Sequence, residues 1–348
     1  MHLLEPMLKR VPGELRWGVI FDESHYTKSP RSLRHKNAVV VSKKALSVLM
    51  LTATPTPRSL EDLYCQCAVL YPAKDDRCEV YGPGFSSLGA FRKEYGTEHS
   101  RWVNGFNKRE WTYSERNASE VSQLLESTVA PIIHAEMGQP RPYVCPVSAP
   151  SAREVETFNK WIQDETYQDK DVQIDARTAS ELANKKAQLD DGFIYDTSGV
   201  PHWFGSSKLD SVVEKAHSIR REYGGGPVLV WTRFKASFEW FFEHEKHVMG
   251  ARDFLESPDD DVDIIVGSQQ SMGTGVDGLQ HYASHQIWVD LPYTAASFIQ
   301  ANARLIRKGQ PDPSPMIFIA ETELNRNVFD VIKGRAKLDE IVRHKQQK

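Results

Sequence analysis

Six short, unbroken apolar runs constrain this chain more than any other feature. They are WGVIF (17–21), LSVLML (46–51), PVLVW (227–231), VDIIVG (262–267), HQIWVDL (285–291) and PMIFIA (315–320). A strand needs such continuous apolar character only when both of its faces are covered, as in a parallel sheet flanked by helices. Stretches long enough for crossover helices separate the runs, so the pattern predicts an α/β chain with parallel sheets. The runs fall in two blocks. Between them, from about 75 to 205, strand-like runs nearly vanish and the sequence turns polar, aromatic and helical. One helix start there is well marked: in SAREVETFNKWI, Ser151 and Glu154 stand at capping-box spacing and Val155, Phe158 and Ile162 share a face. The expected organisation is a first sheet domain over 1–74, a mostly helical insert or bridge over 75–205, and a second sheet domain over 206–348.

Composition excludes several classes. No run approaches the roughly 18 apolar residues of a membrane span, and MHLLEPMLKR lacks the apolar core of a signal peptide. A cytoplasmic protein with no membrane contact is expected. Cys65, Cys67, Cys78 and Cys145 are too few for a disulfide framework and show no zinc spacing, so CQC reads as buried thiols. The net charge of −4 means that any polyanion contact must come from local patches. The acidic SPDDDVD (257–263) reads as a solvated loop before a strand.

The chemistry begins at the end of the first run. In an open parallel sheet, ligands bind beyond the carboxyl ends of the strands, and there WGVIF is followed by Asp22 and Glu23. A nucleotide triphosphatase needs two carboxylates at such a place. One, Asp22, suits the Mg²⁺ that bridges the phosphates, and the other, Glu23, suits the attacking water. The second run delivers Thr52 and Thr54 to the same sheet edge, where hydroxyls can hydrogen-bond between a phosphate site and whatever binds beside it. Lys28, Arg31, Arg34, Lys36, Lys43 and Lys44 follow the acidic pair with no carboxylate between them, a charge run suited to tracking phosphates without reading sequence.

At this point the residues resemble a family. DESH (22–25) is similar to the second motif of superfamily-two helicases, and LTATPTPRSLEDLY (51–64) to the third motif in its Swi/Snf-type form. PVLVWTRF resembles the fourth motif, VGSQQSMGTGVDGLQ the fifth and QANARLIRKGQ the sixth, with Ala303 in place of the usual Gly. LDDGFIYD (189–196) and SSKLDSVVEKA (206–216) are similar to the segment leading into the second lobe of such proteins. The resemblance implies two RecA-like lobes, the first of them incomplete here, and an ATP-dependent DNA translocase or helicase with ATP and Mg²⁺ as cofactors. It implies catalytic roles for Asp22, Glu23, His25, Arg304 and Arg307, with Mg²⁺ held at Asp22. Gly275, Asp277 and Gln300 are implied at the nucleotide beside Asp22, Arg304 and Arg307, and Thr52 and Thr54 in coupling. Lys28, Arg31, Arg34, Thr232 and Thr274 are implied at DNA phosphates. If QANARLIRKGQ is helical throughout, Gln300, Arg304 and Arg307 lie on one face, so that two guanidiniums point together at a transferring phosphoryl group.

The sequence departs from the pattern at its front. The phosphate-cradling GxxxxGK[ST] is not found, and GGGPVLVW does not replace it, because it precedes a strand and lacks the Lys and hydroxyl. The expectation is a split or truncated enzyme whose P-loop segment lies on another chain. The alternative is a non-catalytic nucleic-acid-binding or interaction protein that keeps the lobes. The paired arginines that the family often carries near LLESTVAPIIHAEMGQP (124–140) are not found either. The compact layout suggests a bacterial or virus-infected cell.

Overall fold

The computed structural model describes residues 16–52, 55–56, 59–71, 87–103, 106–124, 142–163, 166–169, 172–175, 179–224, 226–269 and 277–344. Two compact units emerge, one comprising 1–134 with 294–296 and 332–348, the other 135–293 with 297–331.

In the first unit, β1 (Gly18–Phe21) pairs in parallel with β2 (Ser47–Met50), Gly18 opposite Ser47 and Phe21 opposite Met50. The crossover is α1 (Leu33–Lys44), started by Ser32, whose hydroxyl accepts the His35 N–H at 3.2 Å. It ends on Lys43 and Lys44, cations placed at the negative end of the helix dipole. Helix α2 (Glu61–Leu70) completes the packing, and Phe21, Ala38, Val41 and Val69 form the core between sheet and helices. A second small core joins α2 to α3 (Leu88–Tyr95) and α4 (Glu115–Leu124) through Leu60, Leu63, Phe91, Tyr95 and Val121. Glu61 fixes that junction by accepting two bonds from Arg92, at 2.9 and 2.8 Å, and one from Tyr113 at 2.8 Å. Burial and the Glu61 carboxylate raise the Tyr113 phenol above its ordinary pKa, so it stays a donor. Between α3 and α4 lies the antiparallel pair β3 (Thr97–Val103) and β4 (Phe106–Thr112).

The second unit opens with β5 (Tyr143–Cys145) and α5 (Ala152–Gln163). The capping box holds, with the Glu154 N–H given to Ser151 Oγ at 3.3 Å and the Ser151 N–H to Glu154 Oε2. An antiparallel pair β6 (Thr166–Asp169) and β7 (Val172–Asp175), helix α6 (Ala179–Asp191), and a second pair β8 (Phe193–Tyr195) and β9 (Pro201–Trp203) follow. The stretch expected to be mostly helical thus also carries three two-stranded ribbons. Polar ribbons two strands wide lack the continuous apolar runs by which buried strands are recognised.

From α7 (Ser207–Tyr223) onward the chain winds β10 (Val228–Thr232), α8 (Lys235–His244), β11 (Val248–Gly250), α9 (Ala251–Glu256), β12 (Ile264–Ser268), β13 (His285–Trp288), α10 (Ala295–Asn302), β14 (Met316–Ala320) and α11 (Glu323–His344). The sheet is parallel throughout, in the order β11-β12-β10-β13-β14-β5, the doubly wound α/β arrangement expected of a RecA-like lobe. Val228, Val230, Ile264, Val266, Ile287 and Phe318 pack under Leu209, Val212 and Ala216 of α7 and Phe241 of α8. At Gly267 even a methyl group would stand 2.2 Å from the Trp231 ring, so the indole lies directly on β12 backbone.

Two buried polar assemblies brace this sheet. Trp231 Nε1 donates to Gln286 Oε1 at 2.7 Å, while Gln286 Nε2 and Trp288 Nε1 both donate to Asn302 Oδ1, at 3.0 and 3.1 Å. The amide of Asn302 thereby ties the last residue of α10 to β13. Lys208, 1% exposed, donates to Asp191 at 2.6 Å and to Asp290 at 2.8 Å, and Ser237 donates to the other oxygen of Asp191. One ammonium facing two buried carboxylates favours keeping a proton on one of them. Burial and the charge of Asp290 push Asp191 up to about 7.

Candidate functional site

Asp22, Glu23 and Thr52 follow the carboxyl ends of the parallel strands of the first unit, and Thr232 ends a parallel strand of the second. In the first, the chain leaves β1 through Asp22 and Glu23 into a 3₁₀ turn, Ser24–Thr27. Glu23 adopts φ 50°, ψ 48°, the one residue other than glycine with positive φ among the described residues. Left-handed backbone costs a side-chain-bearing residue on the order of 1–3 kcal/mol, so its surroundings must hold it. They do so on both sides: Asp22 Oδ1 accepts the Glu23 N–H at 2.8 Å, and Leu51 O accepts the Ser24 N–H at 2.8 Å.

His25 connects this turn to the end of β2. Its Nδ1 lies 3.1 Å from Glu23 Oε2 and 3.2 Å from Thr52 Oγ1. Burial, with the Lys28 charge adding to it, holds the imidazole down at about 4. At neutral pH the ring is therefore uncharged, and its contact with Glu23 is a hydrogen bond from a neutral N–H and not an ion pair. A second bridge runs through Gln66 of α2. Its Oε1 accepts from Ser24 Oγ at 2.9 Å, and its Nε2 donates to Pro55 O at 2.6 Å. Gln66 was invisible as a site residue, since CQC reads as core. The cysteines beside it are indeed buried, and burial, with Cys65 next to it, lifts the Cys67 thiol to about 12. The only signal for Gln66 was a long amide flanked by thiols on an apolar helix, a buried polar group that had to find partners.

Arg31, Arg34, Lys36 and Lys44 are exposed and make no ion pair among the described residues, and Lys28 is half-buried at the end of the 3₁₀ turn. Arg34 lies over the Tyr26 ring, 5.2 Å from its centroid. Thr54 lies outside the described residues.

In the second unit Thr274 and Gly275 lie outside the described residues, and two expectations meet a different geometry. Thr232, expected at a nucleic-acid phosphate, is fully buried, and its Oγ1 has no hydrogen-bond partner among the described residues. It is still within the ladder, opposite Ser268, where the β12 neighbour and both covered faces shut it from solvent. Finally, helix α10 stops at Asn302, and 303–310 continue as turns, with Arg304 N–H bonded to Ala301 O and Arg307 N–H to Leu305 O. The single helical face for Gln300, Arg304 and Arg307 does not exist. Anchoring of Asn302 in the core ends the regular helix there, and Gly309 at φ 97° carries the turn onward.

Gln300, Arg304 and Arg307 are all partly exposed. Arg307 is engaged with Asp277, Nη1 donating to Oδ1 at 2.5 Å. These two residues were expected at one nucleotide, and in the fold they meet each other.

No protein-family profile matches the chain. Among curated proteins it is 31% identical over 120 residues to the DNA annealing helicase and endonuclease ZRANB3 of Mus musculus, covering 34% of this chain and 10% of that protein. It is 32% identical over 152 residues to the Homo sapiens protein of the same name, covering 41% and 13%. It is 28% identical over 128 residues to the SWI/SNF-related matrix-associated actin-dependent regulator of chromatin subfamily A-like protein 1 of Xenopus laevis, covering 36% and 12%. The matched segments thus span little more than a tenth of these relatives' length. Among solved structures, the Sulfolobus solfataricus SWI2/SNF2 ATPase core in complex with dsDNA is 15% identical, with a TM-score of 0.37, covering 96% of this chain and 71% of that one. Over 34–41% of its length the chain is thus similar to curated proteins that include a SWI/SNF-related one. No helix among the described residues is long and apolar enough to cross a membrane.

Proposed function

We propose that this chain works as part of an ATP-dependent translocase or helicase on DNA. The observation that carries the proposal is the strained Glu23, held at a strand end and joined through His25 to Thr52. Backbone strain kept in place by its surroundings is a mark of functional turns, and a water-orienting carboxylate needs that fixed aim. Asp22 is exposed, and among the described residues its Oδ1 alone is engaged. A single open carboxylate oxygen fits Mg²⁺ that arrives on ATP phosphates with its own waters, and no ready-made cluster of three metal-binding side chains stands among the described residues.

In this proposal Thr52, with Thr54, passes the state of the phosphate site to the DNA side. Arg304 and Arg307 neutralise charge on the transferring phosphoryl group, Arg307 exchanging Asp277 for phosphate, while Gln300 and Gly275 line the nucleotide. Lys28, Arg31 and Arg34, with Thr274, track DNA phosphates. The GxxxxGK[ST] loop is not within these 348 residues and must come from another segment or chain.

The test is ATP hydrolysis with and without duplex DNA, by this chain alone and joined to a segment that carries GxxxxGK[ST]. The chain alone is expected to show negligible turnover. The joined protein should show DNA-stimulated turnover that falls at least about a hundredfold on Glu23→Gln. A joined protein that binds ATP and DNA without hydrolysis would leave a non-catalytic nucleic-acid-binding protein in its place.

A further inference from the structure

The residue after the buried Thr232 carries a guanidinium that no carboxylate of the described residues answers. Arg233 is half-buried at the carboxyl end of β10, the edge of a parallel sheet where ligands bind. Its Nη2 donates to Asn184 Oδ1 of α6 at 2.9 Å. Its Cζ lies 3.9 Å from the centroid of the Tyr293 ring and 5.4 Å from that of Phe234. Tyr293 is 41% exposed, so the stack stands at the surface. Three other arginines of the second unit are paired with acids: Arg307 with Asp277, Arg220 with Asp263 and Arg326 with Glu321. Among the described residues Arg233 has an amide and rings.

That set of partners fixes the guanidinium without neutralising it. A guanidinium laid on an aromatic face keeps its edge donors free, and the edge is the part that fits the oxygens of a phosphate in a forked bond. Here one donor of five is used, on the neutral Asn184. Holding the side chain in advance also removes most of the ordering cost of binding an anion. Helix α8 starts two residues later with no acid in its first turn, so its positive end adds to the same potential.

We propose that Arg233, braced by Asn184 and Tyr293, is a preformed contact of the second unit to a backbone phosphate of nucleic acid, at the surface position beside the buried Thr232. The assignment rests on the DNA-binding part of the proposed function. The contact is independent of sequence, because it meets the phosphodiester alone.

The experiment is fluorescence anisotropy of the whole chain with a short labelled duplex over a salt series. Arg233→Ala should weaken binding roughly tenfold near about 0.1 M salt and lower the steepness of log K against log salt by about 1. Arg233→Lys keeps the charge but loses the planar stack, so it should restore the slope with affinity several-fold below the original. Wild-type slope and affinity in Arg233→Ala overturn the proposal. If that variant does not fold, full wild-type affinity in Arg233→Lys overturns it. A wild-type chain with no salt-dependent DNA binding removes the DNA-binding reading and this contact with it. Binding of a fluorescent ATP analogue should be the same for wild type and Arg233→Ala. A loss there, with DNA binding intact, would assign the guanidinium to a nucleotide phosphate instead.

Discussion

The β1–β2 pair and the six-stranded sheet are built from equally apolar runs, yet they end up covered to very different degrees. In the second unit all five residues of β10 are buried, as are all four of β13. In the first, Val19, Phe21, Val48 and Met50 pack on α1 and α2, while Ile20 and Leu49 point the other way and are 65% and 51% exposed. The polar interiors differ in the same sense. The large sheet is braced by Lys208 between two carboxylates and by indole-to-amide bonds, whereas the small one relies on His25, Gln66 and a strained turn. An apolar run states that a strand can be buried on both faces. Whether it is depends on how many neighbours the sheet supplies.

The widest test of this contrast is native-state hydrogen exchange. Amides of β10 and β12 should exchange only through global opening of the second unit, worth about 5–15 kcal/mol for a typical domain, and those of β1 and β2 orders of magnitude faster. Equal protection in the two sheets would mean that the exposed face of β1–β2 costs nothing, and the contrast would fail.

Lys208→Met should come next in size. It leaves Asp191 and Asp290 buried without their cation, a loss of about 3–5 kcal/mol in urea unfolding followed by the fluorescence of Trp231 and Trp288. A loss below about 1 kcal/mol would show that water already reaches the carboxylates and that the second unit is not held by this cluster.

Gln66→Ala should cost less, about 1–3 kcal/mol, because it strips the Ser24 hydroxyl and the Pro55 carbonyl of a partner at once. The loss should appear as faster exchange at 22–25, leaving β12 unchanged. A variant that slows ATP turnover in the joined protein without this local loosening would point to a chemical role instead of a bracing one.

Acid gives the smallest effect and weighs unequally on the two units. With the His25 pKa lowered from 6.5 to about 4, the unfolded chain binds the proton first as pH falls through that window. The stabilisation is complete above 6.5 and drains away toward 4, costing about 1 kcal/mol at about pH 5.5. His35 shifts in the same direction by burial, and so does His285 in the second unit. Asp191 has the opposite sign: raised to about 7, it takes up a proton in the folded state first, so the second unit gains from it as pH falls. Exchange at β1 and β2 should therefore accelerate more between about pH 7 and 5 than exchange at β12. A uniform response would sink the distinction.

Much of this protein is legible in local chemistry. All six apolar runs are strands, β1, β2, β10, β12, β13 and β14, because continuous apolarity with helix-length spacing has one economical packing. Ser151 and Glu154 mark their helix correctly because a capping box is made within four residues of chain. The carboxylates of the DESH turn stand at a strand end as the order of residues requires.

Other features were settled only by what folds against what. β5, three residues long with Tyr143 and Val144 exposed, is a strand because β14 offers it an edge, a partner lying more than a hundred residues away in sequence. Helix α10 stops at Asn302 because its amide is claimed by Gln286 and Trp288, neither of them a local signal. Thr232 is sealed and Arg233 half-open because the ladder with β12 ends between them, and Tyr293 arrives from the end of β13 to carry the guanidinium. Period and capping are set by neighbours in the chain, so the sequence carries them. Burial and the pairing of polar groups are set by neighbours in space, and those exist only once the sheet has formed.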